Sequence, residues 1–192
     1  MMKKILLYLS LIGILSTSSF AEDTKAMDVY NQMQSLLKGE WSLSEEKKQI
    51  DTTDAYKDKA IVHLVGTDAT AIAYKVIGRG ATFQEDLLPN TKKEMVTMYH
   101  CNNFHDCTEL KATHYCAKQN QPQFILNSKE TTENKIVFDC DMKTKLCNSD
   151  EDHVHQIIHE ISENGKHLKS SYLGWKNQKP NKKHSIYHFD KK

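Results

Sequence analysis

From residue 39 onward the chain is patterned with a period of two. Trp41 and Leu43 alternate with Glu40, Ser42 and Ser44. The same alternation returns in residues 70–77, 81–88, 94–101, 107–116, 122–128, 134–140, 152–162, 166–175 and 184–190. Successive side chains of a strand point to opposite faces, so such segments bury one face and solvate the other. Turn-forming residues separate most of them: Gly78-Arg79-Gly80, Pro89-Asn90, Asn102-Asn103, Asn120-Gln121-Pro122, Asn164-Gly165 and Lys179-Pro180-Asn181. Many short strands joined by tight turns predict an antiparallel meander. A flat sheet of that many strands would leave edges and curl, whereas closure removes the edges. Ahead of the strands, Tyr30, Met33 and Leu37 recur at helical spacing in residues 27–38, and Gly39 supplies a stop. The expected fold is mainly β, an antiparallel up-and-down barrel of about 8–10 strands with one N-terminal helix plugging an end. Residues 45–69 are polar, with one short strand candidate at 60–65.

The first residues carry a second message. Lys3 and Lys4 precede an apolar run from Ile5 to Leu15, and Ser19-Phe20-Ala21 places small residues where a signal peptidase reads them. The expectation is a signal peptide over 1–21, cut after Ala21, and one exported domain over 22–192. The run is too short for a stable membrane anchor, and the compartment is periplasmic or extracellular. Without Lys3 and Lys4, 24 of the 26 Lys+Arg remain against 25 Asp+Glu. That balance argues against a nucleic-acid partner, and the interspersed charges read as a solvated surface. Arg79, between Gly78 and Gly80, is the only arginine.

Export makes disulfides the expected state of cysteine. Five are present, at 101, 107, 116, 140 and 147. Cys101 and Cys107 flank a short loop, as do Cys140 and Cys147, and each pair is a disulfide candidate. Cys116 is then free, a small buried residue; a Cys116–Cys140 bridge is the competing connectivity. If Cys101 and Cys107 face each other across a hairpin, Met98 faces Leu110, Val96 faces Ala112, and His114 faces Glu94. Met98 and His100 then share an inner face with Leu110, Ala112, His114 and Cys116.

Ten histidines is a high count. His153, His155 and His159 fall on one face of a strand with Ile157 and Ile161. An H-x-H pair can present two imidazoles to one metal ion, but no third ligand is set by local spacing; no metal site is assigned, and His153, His155 and His159 are its candidates. The barrel interior mixes apolar residues with Phe83, Glu85, Met98, His100, His114 and His155. Buried polar groups need partners, in each other, in water or in a ligand. These six are the expected lining of a ligand pocket. No nucleophile elbow, H-E-x-x-H, P-loop or tandem C-x-x-C is present, so no catalytic residue is assigned and an enzyme is not expected.

The quoted residues carry a family likeness. Gly39-Glu40-Trp41 after a short helix resembles the G-x-W start of lipocalin-like (calycin) barrels. The run Met95-Val96-Thr97-Met98-Tyr99-His100, then Thr113-His114-Tyr115-Cys116, then Asn120-Gln121-Pro122, is similar to a family of uncharacterised bacterial lipocalin-like proteins. His153-Val154-His155 and the strand ending at Trp175 also fit, so the likeness spans residues 30–190. It implies a fold rather than an activity; related barrels bind lipids, haem or other small hydrophobic molecules. Cys101, Cys107, Cys140, Cys147 and the polar 45–69 segment depart from it. The resulting expectation is an exported, monomeric protein that holds a small hydrophobic or amphipathic molecule, with no cofactor assigned. The alternatives are a haem- or metal-binding barrel using His114, His155 or His159, and a filled structural or interaction barrel.

Overall fold

A computed structural model describes residues 26–45, 57–103 and 105–192. The expected signal peptide lies outside the described residues. Helix α1 (Ala26–Leu37) is followed by β1 (Gly39–Leu43), β2 (Thr70–Ile77), β3 (Thr82–Leu87), β4 (Met95–Cys101), β5 (Leu110–Tyr115) and β6 (Gln123–Leu126). Then come β7 (Lys135–Cys140), β8 (His153–Ser162), β9 (His167–Lys176), the two-residue β10 (Lys179–Pro180) and β11 (Ser185–Lys191). Each strand pairs antiparallel with its sequence neighbour, except that β10 pairs only with β9, which also pairs with β11. β11 returns to β1, closing a ten-stranded barrel. Among the described residues no helix is long and apolar enough to cross a membrane.

The alternation decides what lies inside. Phe83, Glu85 and Leu87 of β3 are buried, and the residues between them are only partly so. α1 presents Val29, Tyr30, Met33 and Leu37 to the core, the stripe expected from its spacing. It covers one end of the barrel and is tied there by polar contacts. The Trp41 indole N–H donates to the Leu37 carbonyl at 2.8 Å, and the Tyr30 hydroxyl donates to the Gly80 carbonyl at 2.8 Å. Gln32 reaches the Glu133 carbonyl on the β6–β7 connection.

Both expected disulfides are present, Cys101–Cys107 and Cys140–Cys147, and Cys116 is free. Two covalent bridges fit an oxidising compartment. Burial pushes the Cys116 thiol above its ordinary range, and the residue is half-buried. A thiol reagent should therefore titrate one cysteine per unreduced native chain, slowly, and become fast on unfolding. Two or more fast thiols would contradict the pairing.

Three local expectations are corrected. Residues 60–65 form no strand; Val62–Leu64 is a 3-10 turn. The Asp58 carboxylate accepts from the Ala60 N–H, and the Asp58 carbonyl accepts from Ile61 and Val62, which curls the backbone while Ile61 and Leu64 stay buried. The β4–β5 register is also different. Cys101 stands opposite Leu110, Tyr99 opposite Ala112 and Thr97 opposite His114. Cys107 lies in the loop at φ 32, outside β5. The Asn102 side chain accepts from the Glu109 N–H, and the Glu109 carbonyl accepts from the Asn102 N–H, extending the loop beyond Cys107. A shift of three residues reverses the parity of β4. Thr97 and Tyr99 point inward, and Met98 and His100 do not. Third, a β-bulge between Val154 and Gln156 breaks the alternation of β8. His155 leaves the inner face and stacks on Trp175, with ring centroids 3.9 Å apart.

Candidate functional site

The middle of the barrel holds a charged side chain with no access to water. Glu85 of β3 is fully buried. Its Oε1 accepts from the Thr97 and Tyr172 hydroxyls, each at 2.9 Å. Its Oε2 accepts from the Tyr99 hydroxyl at 2.8 Å, and His159 Nε2 lies 3.3 Å away. Burial alone would raise the carboxyl pKa. The hydrogen bond and field of His159, then His114 and Tyr99, outweigh it and bring Glu85 down to about 2. Glu85 is thus a carboxylate at neutral pH and can only accept.

That single fact sets the protons around it. Thr97 and Tyr99 each have one hydroxyl proton, and both are directed at Glu85. Thr97 Oγ1 also lies 2.9 Å from His114 Nδ1, so the ring must donate there. Tyr99 likewise accepts from His159 Nε2, at 2.9 Å. His159 Nδ1 is 2.9 Å from Ser170 Oγ, so both of its nitrogens are engaged. His114 differs. Burial lowers it to about 4, only partly opposed by Glu85, so the ring is neutral. With its proton on Nδ1, its Nε2 is a bare lone pair, buried and without a hydrogen-bond partner among the described residues.

His114 lines a cavity of about 220 Å³ at the end of the barrel opposite α1. Tyr172, Tyr187, Val154 and Met95 supply apolar wall, and Cys116 adds its thiol. Lys93, Lys118 and Lys183 stand at the mouth. Lys118 pairs with Asp152 at 2.5 Å and Lys93 pairs with Asp58. Asn181 donates to the same Asp152 oxygen at 2.9 Å. A neutral histidine thus joins an apolar, aromatic wall and a polar rim, the usual composition of a small-molecule site. A larger cleft of about 580 Å³ opens beside α1, between Tyr30, Arg79, His100 and the Cys101–Cys107 loop.

No protein-family model matches this chain, and no curated protein matches it.

The expected pocket residues separate. His114 reaches the mouth cavity, and Glu85 supports it through Thr97. Phe83 is fully buried in the core, stacked on Tyr74 at 5.6 Å. Met98 lies on the outward face of β4; His100 does too, and it borders the cleft beside α1. His155 is held by Trp175 and His153. Of the three histidines named for a haem or metal, His114 and His159 both meet the Glu85 network, through Thr97 and Tyr99, while His155 belongs to a separate cluster. Periodicity missed Thr97, Tyr99, Tyr172 and Ser170. Tyr172 was within reach of sequence reasoning, since it falls on the buried parity of its strand with Leu168 and Ser170.

The same groups set an acid response. The folded state keeps His114 neutral, while the unfolded chain protonates it near its ordinary value of 6.5. Its contribution is complete above pH 6.5 and is lost as pH falls to about 4. Glu85 adds a second loss from its ordinary 4.5 down to about 2. Each shift corresponds to about 3 kcal/mol. Thermal melts against pH should show stability declining in both windows, and His114→Gln should flatten the upper one. An unchanged slope in that variant would contradict the burial of a neutral imidazole.

Proposed function

We propose that this is an exported binding protein that takes a small, partly apolar molecule into the mouth of its barrel. The observation that carries the reading is that His114, a residue lining the cavity, keeps a buried Nε2 with no hydrogen-bond partner among the described residues. A buried acceptor without a partner is costly, and a ligand that donates to it removes the cost. The molecule should therefore bring an O–H or N–H to His114 and lay apolar surface against Tyr172, Tyr187 and Val154. At about 220 Å³ the cavity is below the range of drug-sized ligand sites, and far below what a porphyrin needs. The likeness of Gly39-Glu40-Trp41 and the Thr113–Cys116 run to lipocalin-like proteins supports the reading, as do the two disulfides and the basic, apolar start of the chain.

The filled middle of the barrel favours a second reading, a structural or interaction barrel with no ligand. Native mass spectrometry of protein exported to the periplasm separates the two. The expected result is a chain beginning at Glu22 that carries a small molecule, which His114→Ala loses while keeping its fold. A chain without added mass from several expression hosts supports the second reading. A full-length chain retained in the cytoplasm removes export.

A further inference from the structure

Where the bulge of β8 lies beside the end of β7, sulfur and imidazole donors converge. One ligand atom each from Cys140, His153 and His155 lie within 4.8 Å of one another. The fourth member is covalently joined to the first, because Cys147 Sγ is the disulfide partner of Cys140. The spacing of the set is C-x6-C-x5-H-x-H, read from Cys140 to His155.

The imidazoles are already oriented. His153 Nδ1 lies 2.7 Å from the Glu151 carbonyl, an acceptor only, so that nitrogen carries the proton. Its Nε2 lone pair then faces His155 Nδ1 at 2.9 Å. Fixing one ring nitrogen on a backbone carbonyl so that the other can ligate is the common outer-shell arrangement of metal-binding histidine. Trp175 stacks on His155 with 13° between the planes and holds that ring in place. His153 and Cys140 are almost wholly buried. In the closed disulfide neither sulfur is a thiolate, and a thiolate is what a metal binds. Two thiolates and two imidazoles are the donor types of a tetrahedral zinc set, and three of the four residues already converge here. Zn–S and Zn–N bonds of about 2.3 and 2.0 Å put ligand atoms roughly 3.5 Å apart, so the imidazole nitrogens at 2.9 Å need to move little, while the two sulfurs must separate once reduced.

We propose that the reduced chain binds one Zn²⁺ between Cys140, Cys147, His153 and His155, and that closing the Cys140–Cys147 disulfide releases it. The exchange needs a disulfide R–S–S–R from a small thiol or an oxidoreductase. One thiolate attacks it and expels RS⁻. The second thiolate attacks the mixed disulfide and expels another RS⁻. Two protons convert these to two RSH, the Cys140–Cys147 bond forms, and Zn²⁺ leaves. The cluster shares no residue with the cavity at His114, so either assignment can fail without the other.

The test uses a Cys101→Ser/Cys107→Ser/Cys116→Ser chain, which leaves only the two cysteines concerned. Once reduced, it should bind one equivalent of Co²⁺ with thiolate-to-cobalt charge-transfer absorption, give way to Zn²⁺, and melt at a higher temperature with zinc than without. With the disulfide closed, it should show none of these. His155→Ala, at a half-buried position, should weaken binding by at least about 10-fold, the smaller loss seen even for outer-shell changes. His153→Gln should act the same way. Absence of the cobalt absorption in the reduced chain, a zinc-independent melting temperature, or binding unchanged in both histidine variants would overturn the proposal.

Discussion

Glu85→Ala is expected to lower the stability of the barrel by about 3–5 kcal/mol, the usual consequence of removing one member of a buried ionic network. The loss does not come from the carboxylate alone. Thr97, Tyr99 and Tyr172 all donate to it, and the substitution leaves three buried hydroxyls without their acceptor. His159 loses the carboxylate oxygen that lies 3.3 Å from its Nε2 in the same step. Each stranded donor adds roughly 1–3 kcal/mol unless water enters the space vacated. Glu85→Gln keeps one acceptor oxygen at nearly the same volume and should lose less. Denaturant unfolding followed by tryptophan fluorescence measures both. An alanine variant within about 1 kcal/mol of the parent would mean that the interior is hydrated and the network is not as described.

Trp41→Ala should cost a similar amount, on the order of 3–5 kcal/mol, for a different reason. Here the loss is volume. Trp41 is among the largest fully buried side chains and sits where β1 meets α1. Its removal leaves a cavity under the helix and strands the Leu37 carbonyl that the indole N–H satisfies. Lys191 also lies over the indole, 5.1 Å from the ring centroid, so the last strand loses a contact with the first. Trp41→Phe should recover most of the packing and lose chiefly the hydrogen bond, about 1 kcal/mol. A Trp41→Ala variant that unfolds at the parent's denaturant midpoint would place the indole outside the core.

The strands could be read from the chain because turn chemistry and side-chain alternation report the same boundaries. β2 was bounded by Gly78 and a run of alternating residues, and β8 by acidic residues before it and Asn164-Gly165 after it. Pairing was harder, because register depends on where the loop ends. In the 102–109 loop, Asn102 and Glu109 hydrogen-bond to each other, so Cys101 ends β4 but Cys107 does not begin β5. One odd-numbered shift then exchanges Met98 and His100 for Thr97 and Tyr99 on the inner face. His114 survived because its own strand keeps its parity from Leu110. His155 did not, because a bulge adds a residue without any glycine or proline to announce it. The role of Glu85 was half visible. Its parity gave its burial, but its partners come from β4, β8 and β9, and no local pattern brings three strands together.

The ring of strands is sealed by the pairing of Trp41 with Lys191 and of Leu43 with Phe189. These residues are nearly the whole chain apart, so the contact that completes the barrel is among the most non-local it contains. Loop-closure entropy makes such a contact late and slow to form. Until β11 arrives, β1 and β9 are both open edges able to pair with another chain. Assembly therefore waits on the last strand to emerge, and a chain shortened before Ser185 would be an adhesive open sheet rather than a smaller barrel.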